Sequence, residues 1–239
     1  MKKIIVANWK CNPITLQEAQ TLFLAYKKIK SKHEIVVCPP FCFLPLGSGL
    51  SLGAQDCFWE NKGAFTGQVS PLQLKSLGVE YVILGHSEKR ALAETNEIIN
   101  KKLKVVLKAG LKPILCLGET QAERQEGKTF QVVETCLLVC LKGIAKNQLS
   151  RIILAYEPVW AVGSGKPCVA DEALTMILFL RKLILKKYSK KLSHSMPILY
   201  GGSVDSQNTQ EYLSSDWVGG LLVGSASLDP KEFTKIAKL

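Results

Sequence analysis

Three side chains able to hold or move protons stand at the ends of apolar runs in this chain of 239 residues. Lys10 follows Ile4-Ile5-Val6-Ala7-Asn8-Trp9, His86 follows Tyr81-Val82-Ile83-Leu84-Gly85, and Glu157 follows Ile152-Ile153-Leu154-Ala155-Tyr156. A carboxylate can act as a general base, a neutral imidazole can donate to a developing oxyanion, and a lysine can neutralise it. Ser87 and Glu88 can open a helical turn whose positive end disfavours imidazolium at His86. Beyond Glu157, the Pro158-Val159-Trp160 step is a stiff hinge, and the segment from Ala161 to Gly165 can turn backbone N–H groups toward an anion. That is the layout a base beneath a lid would need, and equally that of a surface loop rich in Gly for turn geometry. Two further glycine clusters, Tyr200-Gly201-Gly202-Ser203-Val204 and Leu222-Val223-Gly224-Ser225-Ala226-Ser227, also follow apolar runs and suit a phosphate. Gly165-Lys166 is not a nucleotide P-loop, because Trp160 falls where its first Gly belongs and Pro167 replaces its Ser/Thr.

Positioning these groups requires rigid elements. Strand signals fall near 3–7, 34–38, 50–55, 81–84, 113–117, 151–156, 197–200 and 220–223. Helical patterns lie between them, as at 15–29, 96–109, 130–145, 170–188 and 206–213. Alternation of this kind calls for a parallel sheet, and eight units close a (β/α)8 barrel. The second unit has room only for 41–51, which holds Pro45, Gly47 and Gly49, so its helix is expected to be shortened. No linker or low-complexity tract interrupts the chain, and residues 1–239 are read as one catalytic domain.

The formal net charge is +11. Lysine clusters at 27–32 and 186–191 close long helical patterns, where cations complement the helix dipole, and no aromatic residues interleave them. A solvated face is expected at the end of the barrel away from the active-site mouth, with no nucleic-acid partner. No apolar run reaches membrane-spanning length, and the opening residues read as a strand rather than a leader. The eight cysteines sit mostly in apolar runs and lack zinc spacing, so reduced thiols in a cytoplasmic protein without metal are expected. His33 and His194 lie among Lys and Ser and are expected in solvent.

The motifs taken together resemble the triosephosphate isomerase family along essentially the whole chain. Asn8-Trp9-Lys10-Cys11-Asn12, Gly85-His86-Ser87-Glu88, Ile114-Leu115-Cys116-Leu117-Gly118-Glu119, the segment from Ala155 to Lys166 and both glycine clusters occur in the family's order. The resemblance implies interconversion of dihydroxyacetone phosphate and glyceraldehyde 3-phosphate, in glycolysis and gluconeogenesis. It implies Glu157 as base, His86 as electrophile with Glu88 as its neighbouring carboxylate, and Lys10 and Asn8 at the oxyanion. Gly163, Ser203, Gly224 and Ser225 would bind phosphate, with no cofactor or metal. It also implies a homodimer in which a loop bearing Thr66 enters the partner. Gln68 and Lys89 stand where the family usually has Glu and Arg, so the ion pair between those positions becomes a Lys–amide contact, weaker than a bidentate pair. Cys11 replaces the usual Met. Ser225 replaces a Gly, which requires a backbone angle open to a Cβ. Pro167-Cys168 stiffens the lid's far hinge. Two other readings share parts of the pattern. A sugar-phosphate epimerase would share the glycine clusters but lack the Lys10, His86 and Glu157 set, and a basic binding protein would need none of them.

Overall fold

β-Branched and apolar runs form eight strands in the computed structural model, which describes residues 2–239. They are β1 Ile4–Asn8, β2 Glu34–Cys38, β3 Ser51–Ala54, β4 Val79–Leu84, β5 Lys112–Leu117, β6 Ile153–Tyr156, β7 Ile198–Tyr200 and β8 Gly220–Val223. Neighbours pair parallel in chain order, and β8 returns to β1, which closes the barrel. Strands buried on both faces explain why the runs are continuously apolar rather than alternating. The pleat still sorts them. Val6, Ile83, Cys116, Ala155, Leu199 and Leu222 form the inner cluster, whereas Ile5, Ala7, Val82 and Leu154 pack outward against helices.

The helices are α1 Leu16–Tyr26, α2 Pro71–Ser76, α3 Ser87–Ala91, α4 Asn96–Ala109, α5 Gln121–Gln125, α6 Thr129–Cys140, α7 Lys146–Leu149, α8 Ala170–Lys187, α9 Lys190–Ser195, α10 Thr209–Leu213 and α11 Pro230–Lys238. Their starts are chemical. Thr15 with Glu18, Ser70 with Gln73 and Thr120 with Glu123 form capping boxes, and Asp229 accepts the Lys231 and Glu232 N–H groups. Phe41–Gly47 is a 3₁₀ segment, the shortened second helix that Pro45 dictates. The expected helix at 130–145 ends earlier, at Cys140, and a separate turn forms α7. The structure adds α11, whose Phe233, Ile236 and Ala237 fall on one buried face.

The helices run antiparallel to the strands, so the lysines that close α1 and α8 lie opposite the strands' C-terminal ends. Among the described residues, Lys10 is the only lysine lining the mouth cavity. One expectation is corrected. His33 is buried rather than solvated, because its Nδ1 accepts the Lys3 N–H where the chain enters β2. His194 is exposed, edge-on to Trp217.

Candidate active site

Extending the strand parity past the sheet brings the polar residues inward. Val6 faces the barrel interior, so Asn8 and Lys10 follow on the same side of β1; Ile153 and Ala155 lead in the same way to Glu157. His86 breaks this parity. Gly85 takes φ 71°, a left-handed step open to glycine, and it turns His86 into the mouth. Together with Gly163, Ser203, Gly224 and Ser225, these four side chains line one cavity of about 610 Å³.

His86 caps α3, and its Nδ1 accepts the Glu88 N–H at 3.2 Å. An accepting Nδ1 carries no proton, so Nε2 carries it and the ring is neutral. That Nε2 lies 3.4 Å from Glu157 Oε1. Both groups are buried, and the carboxylate rests against the Gly201 backbone. Burial, and then the Glu157 charge, hold the Cys116 thiol well above its usual range, so it stays protonated beside the carboxylate.

Lys10 adopts φ 54°, which costs a residue with a Cβ of order 1 kcal/mol and fixes where its side chain emerges. Asn8 Oδ1 accepts the Lys10 N–H at 3.0 Å, and Gln55 Nε2 donates to the Lys10 carbonyl at 2.8 Å. The Lys10 ammonium then reaches Glu88 Oε1 at 2.6 Å. Glu88 thus stands beside both Lys10 and the Nδ1 face of His86 without lining the cavity itself.

The lid runs from Pro158 to Lys166. Trp160 Nε1 and Tyr156 Oη both donate to buried Glu119, at 2.9 and 3.1 Å. Arg124 stacks over Trp160 at 4.5 Å and pairs with Glu172 at 2.9 Å. On the other side, Gly165 donates its N–H to Ser203 Oγ at 3.2 Å, and Ser203 donates to the Ala161 carbonyl at 3.0 Å. Beyond Pro167, the Cys168 N–H donates to Tyr200 Oη at 3.2 Å, and Tyr212 donates to the Cys168 carbonyl at 2.5 Å. These contacts latch the lid onto the loop after β7. Ser225 opens the 3₁₀ segment Ser225–Leu228 with a negative φ, so a Cβ is accommodated where the family has Gly.

Sequence reasoning gave no role to Glu119 or Gln55, although each lies just past a strand whose inner face leads to the mouth. Thr66, Gln68 and Lys89 do not reach the cavity. Thr66 and Gln68 are exposed, and Lys89 pairs within its own chain with Asp56 at 3.0 Å.

Fold and cavity together define a (β/α)8 barrel whose mouth gathers Asn8, Lys10, His86 and Glu157 in one cavity. The family model described as triosephosphate isomerase matches residues 3–239. The chain is 43% identical over 246 residues to the triosephosphate isomerase of Aquifex aeolicus, covering 99% of this chain and 98% of the relative. It is 44% identical to that of Dictyoglomus thermophilum, with 99% of each covered, and 42% identical to that of Alkaliphilus oremlandii, with 98% of each covered. The chain belongs to the triosephosphate isomerase family.

Proposed function

We propose that this chain interconverts dihydroxyacetone phosphate and D-glyceraldehyde 3-phosphate by proton transfer through an enediolate. The observation that carries the mechanism is the 3.4 Å approach of His86 Nε2 to Glu157 Oε1 at the floor of a lidded cavity. Glu157 removes the proton from the carbon beside the carbonyl, and His86 Nε2–H donates to the carbonyl oxygen. Lys10 and Asn8 stabilise the charge that develops there, with Glu88 holding the Lys10 ammonium in place. Gly163, Ser203, Gly224 and Ser225 hold the phosphate group. The latched lid excludes water, so the enediolate is reprotonated before phosphate leaves. The acidity of a C–H beside a carbonyl suffices for this chemistry, so no metal or cofactor enters the scheme.

The reading includes a homodimer of one-domain subunits. Phe65, Ile14 and Leu92 are exposed apolar side chains on the loops after β3 and β1 and just past α3, and Phe65 precedes Thr66 in the same loop. Lys89 is committed to Asp56, so Gln68 gains little charge-assisted help from it and the dimer is weaker for that. Sedimentation at falling concentration tests this, and a dimer persisting at picomolar concentration would contradict it. Eight free cysteines, six of them buried, suit a reducing compartment such as the cytoplasm.

The decisive assay is conversion of glyceraldehyde 3-phosphate by the purified chain beside a Glu157→Gln control. Turnover that falls by roughly 10²–10⁴ in the control supports the base assignment. A folded chain with no turnover would remove the reading.

A further inference from the structure

A second cavity, of about 590 Å³, opens between α3, the loop after β5 and α6. Its walls include Arg90, Lys128, Ser87, Thr120, Glu123 and Cys136. Arg90 is its unusual feature. Its Nε donates to the Gly85 carbonyl at 2.7 Å, Nη1 to Asn96 Oδ1 at 2.7 Å, and Nη2 to the Cys116 carbonyl at 3.1 Å. Nη2 also lies 3.1 Å from Cys136 Sγ. Among the described residues no carboxylate comes within ion-pair distance of this guanidinium. The ionisable group in contact with this guanidinium, among the described residues, is the Cys136 thiol.

Cys140 follows one helical turn later, and both thiols donate to Asn96 Oδ1, at 3.3 and 3.5 Å, so the thiolate of Cys136 forms by giving up that hydrogen bond. A hydrogen bond from Cys140, and then the Arg90 charge, draw the Cys136 thiol below its usual range against burial and the Glu123 charge. Cys140 is pushed up in turn and keeps its proton. The two cannot bond to each other in an intact helix. Residues four apart hold their Cβ atoms about 5–6 Å apart, whereas a disulfide needs about 3.5–4.5 Å. The sulfur that reacts with Cys136 therefore comes from outside the chain.

We propose that Cys136 is a covalent modification site for a small disulfide that carries carboxylates. The Cys136 thiolate attacks one sulfur of the reagent and forms a new S–S bond. The reagent's own S–S bond breaks, and the released half leaves as a thiolate that takes a proton from water. Once Cys136 is neutralised in the adduct, the reagent's carboxylates replace its charge against Arg90 and Lys128. The site is coupled to the mouth. Gly85 immediately precedes His86, and the Cys116 thiol stands beside Glu157, so drawing Arg90 toward the adduct frees the Gly85 and Cys116 carbonyls in the backbone that carries or borders these two groups.

The probe is oxidised glutathione, applied to the full chain carrying Cys11→Ser and Cys42→Ser so that the two exposed thiols do not compete. Intact-mass measurement and peptide mapping are expected to find one adduct, on Cys136. Isomerase turnover should fall about tenfold and return with dithiothreitol, and the Cys136→Ser variant of the same chain should take no adduct and keep its turnover through the treatment. Iodoacetamide supplies a reading independent of that variant's folding. Cys136 is buried like Cys57 and Cys168 but lines the cavity wall, so at neutral pH it should be alkylated at least about tenfold faster than either, and this advantage should shrink in Arg90→Lys. Alkylation no faster than at Cys57, or an adduct on another cysteine, overturns the site. An adduct on Cys136 with unchanged turnover overturns its coupling to the mouth. The loss of turnover rests on the proposed isomerase reaction, whereas adduct mass and alkylation rate do not, so the two ideas fail separately.

Discussion

Gly118→Ala tests whether the carboxylate of Glu157, the base proposed above, is placed by close backbone packing. A Cβ built on Gly118 would lie 1.8 Å from the Glu157 carbonyl oxygen and 2.5 Å from its carbonyl carbon. Both are backbone atoms at the end of β6, so no side chain can rotate out of the way. Restoring ordinary contact requires the strand end to move by roughly 1.5 Å. Glu157 would carry that displacement to its carboxylate, away from His86 Nε2, which now stands 3.4 Å off. A misplacement of about 1 Å costs on the order of 10²-fold in rate. Overpacking of this kind also costs roughly 1–3 kcal/mol of stability. The assay is steady-state kinetics at a temperature where urea melts show the variant fully folded. The expected result is kcat lower by about a hundredfold, with KM changed far less, because the loops after β7 and β8, proposed to bind phosphate, are untouched. A folded Gly118→Ala with kcat within about threefold of the parent would refute the claim that this contact positions the base.

Other perturbations probe the lid, the lysine and pH. Tyr200→Phe removes the acceptor for the Cys168 N–H and should weaken lid closure by about 1 kcal/mol; kcat should fall several-fold and phosphate elimination should rise, measured as released inorganic phosphate. Glu119→Ala leaves Trp160 Nε1 and Tyr156 Oη without their buried acceptor and should cost about 2–4 kcal/mol in denaturation midpoints, and no change there would show that the pair does not brace the hinge. Lys10→Met should lower kcat/KM by at least about 10²-fold, and a smaller loss would move the oxyanion elsewhere. Burial, and then the Lys32 charge, hold His33 below its usual value. The unfolded chain therefore binds that proton first, and His33 contributes stability that is complete above about pH 6.5 and lost as pH falls through the folded value. Urea midpoints should drop more steeply between pH 6.5 and 5 in the parent than in His33→Gln.

The alternation of strands and helices was legible because each strand is buried on both faces and therefore continuously apolar. Residues at the mouth were legible for a related reason, since polar groups stand out against such runs. The residues that brace them were not. Glu119 begins a polar stretch, Glu119-Thr120-Gln121-Ala122-Glu123-Arg124, and its burial depends on Tyr156 and Trp160, some 40 positions away. His33 sits between Lys32 and Glu34, and only the closure of β1 against β2 encloses it. Arg181 looks like an ordinary surface cation within α8, yet it is buried and donates to the carbonyls of Ser193, Met196 and Trp217. Helix α11 carries a capping Asp and a clear apolar face, and its nine residues are simply short. Tertiary neighbours, rather than local propensity, decide each of these positions.

The lysines at the ends of α1 and α8 also give the molecule a preferred posture. Their charge lies opposite the mouth, so attraction to a negatively charged surface acts on the base of the barrel. Adsorbed to a cation-exchange matrix at low salt, the barrel stands on its lysines with the lid facing solvent. Substrate then reaches the cavity as freely as in solution, and the immobilised protein retains its turnover until salt releases it.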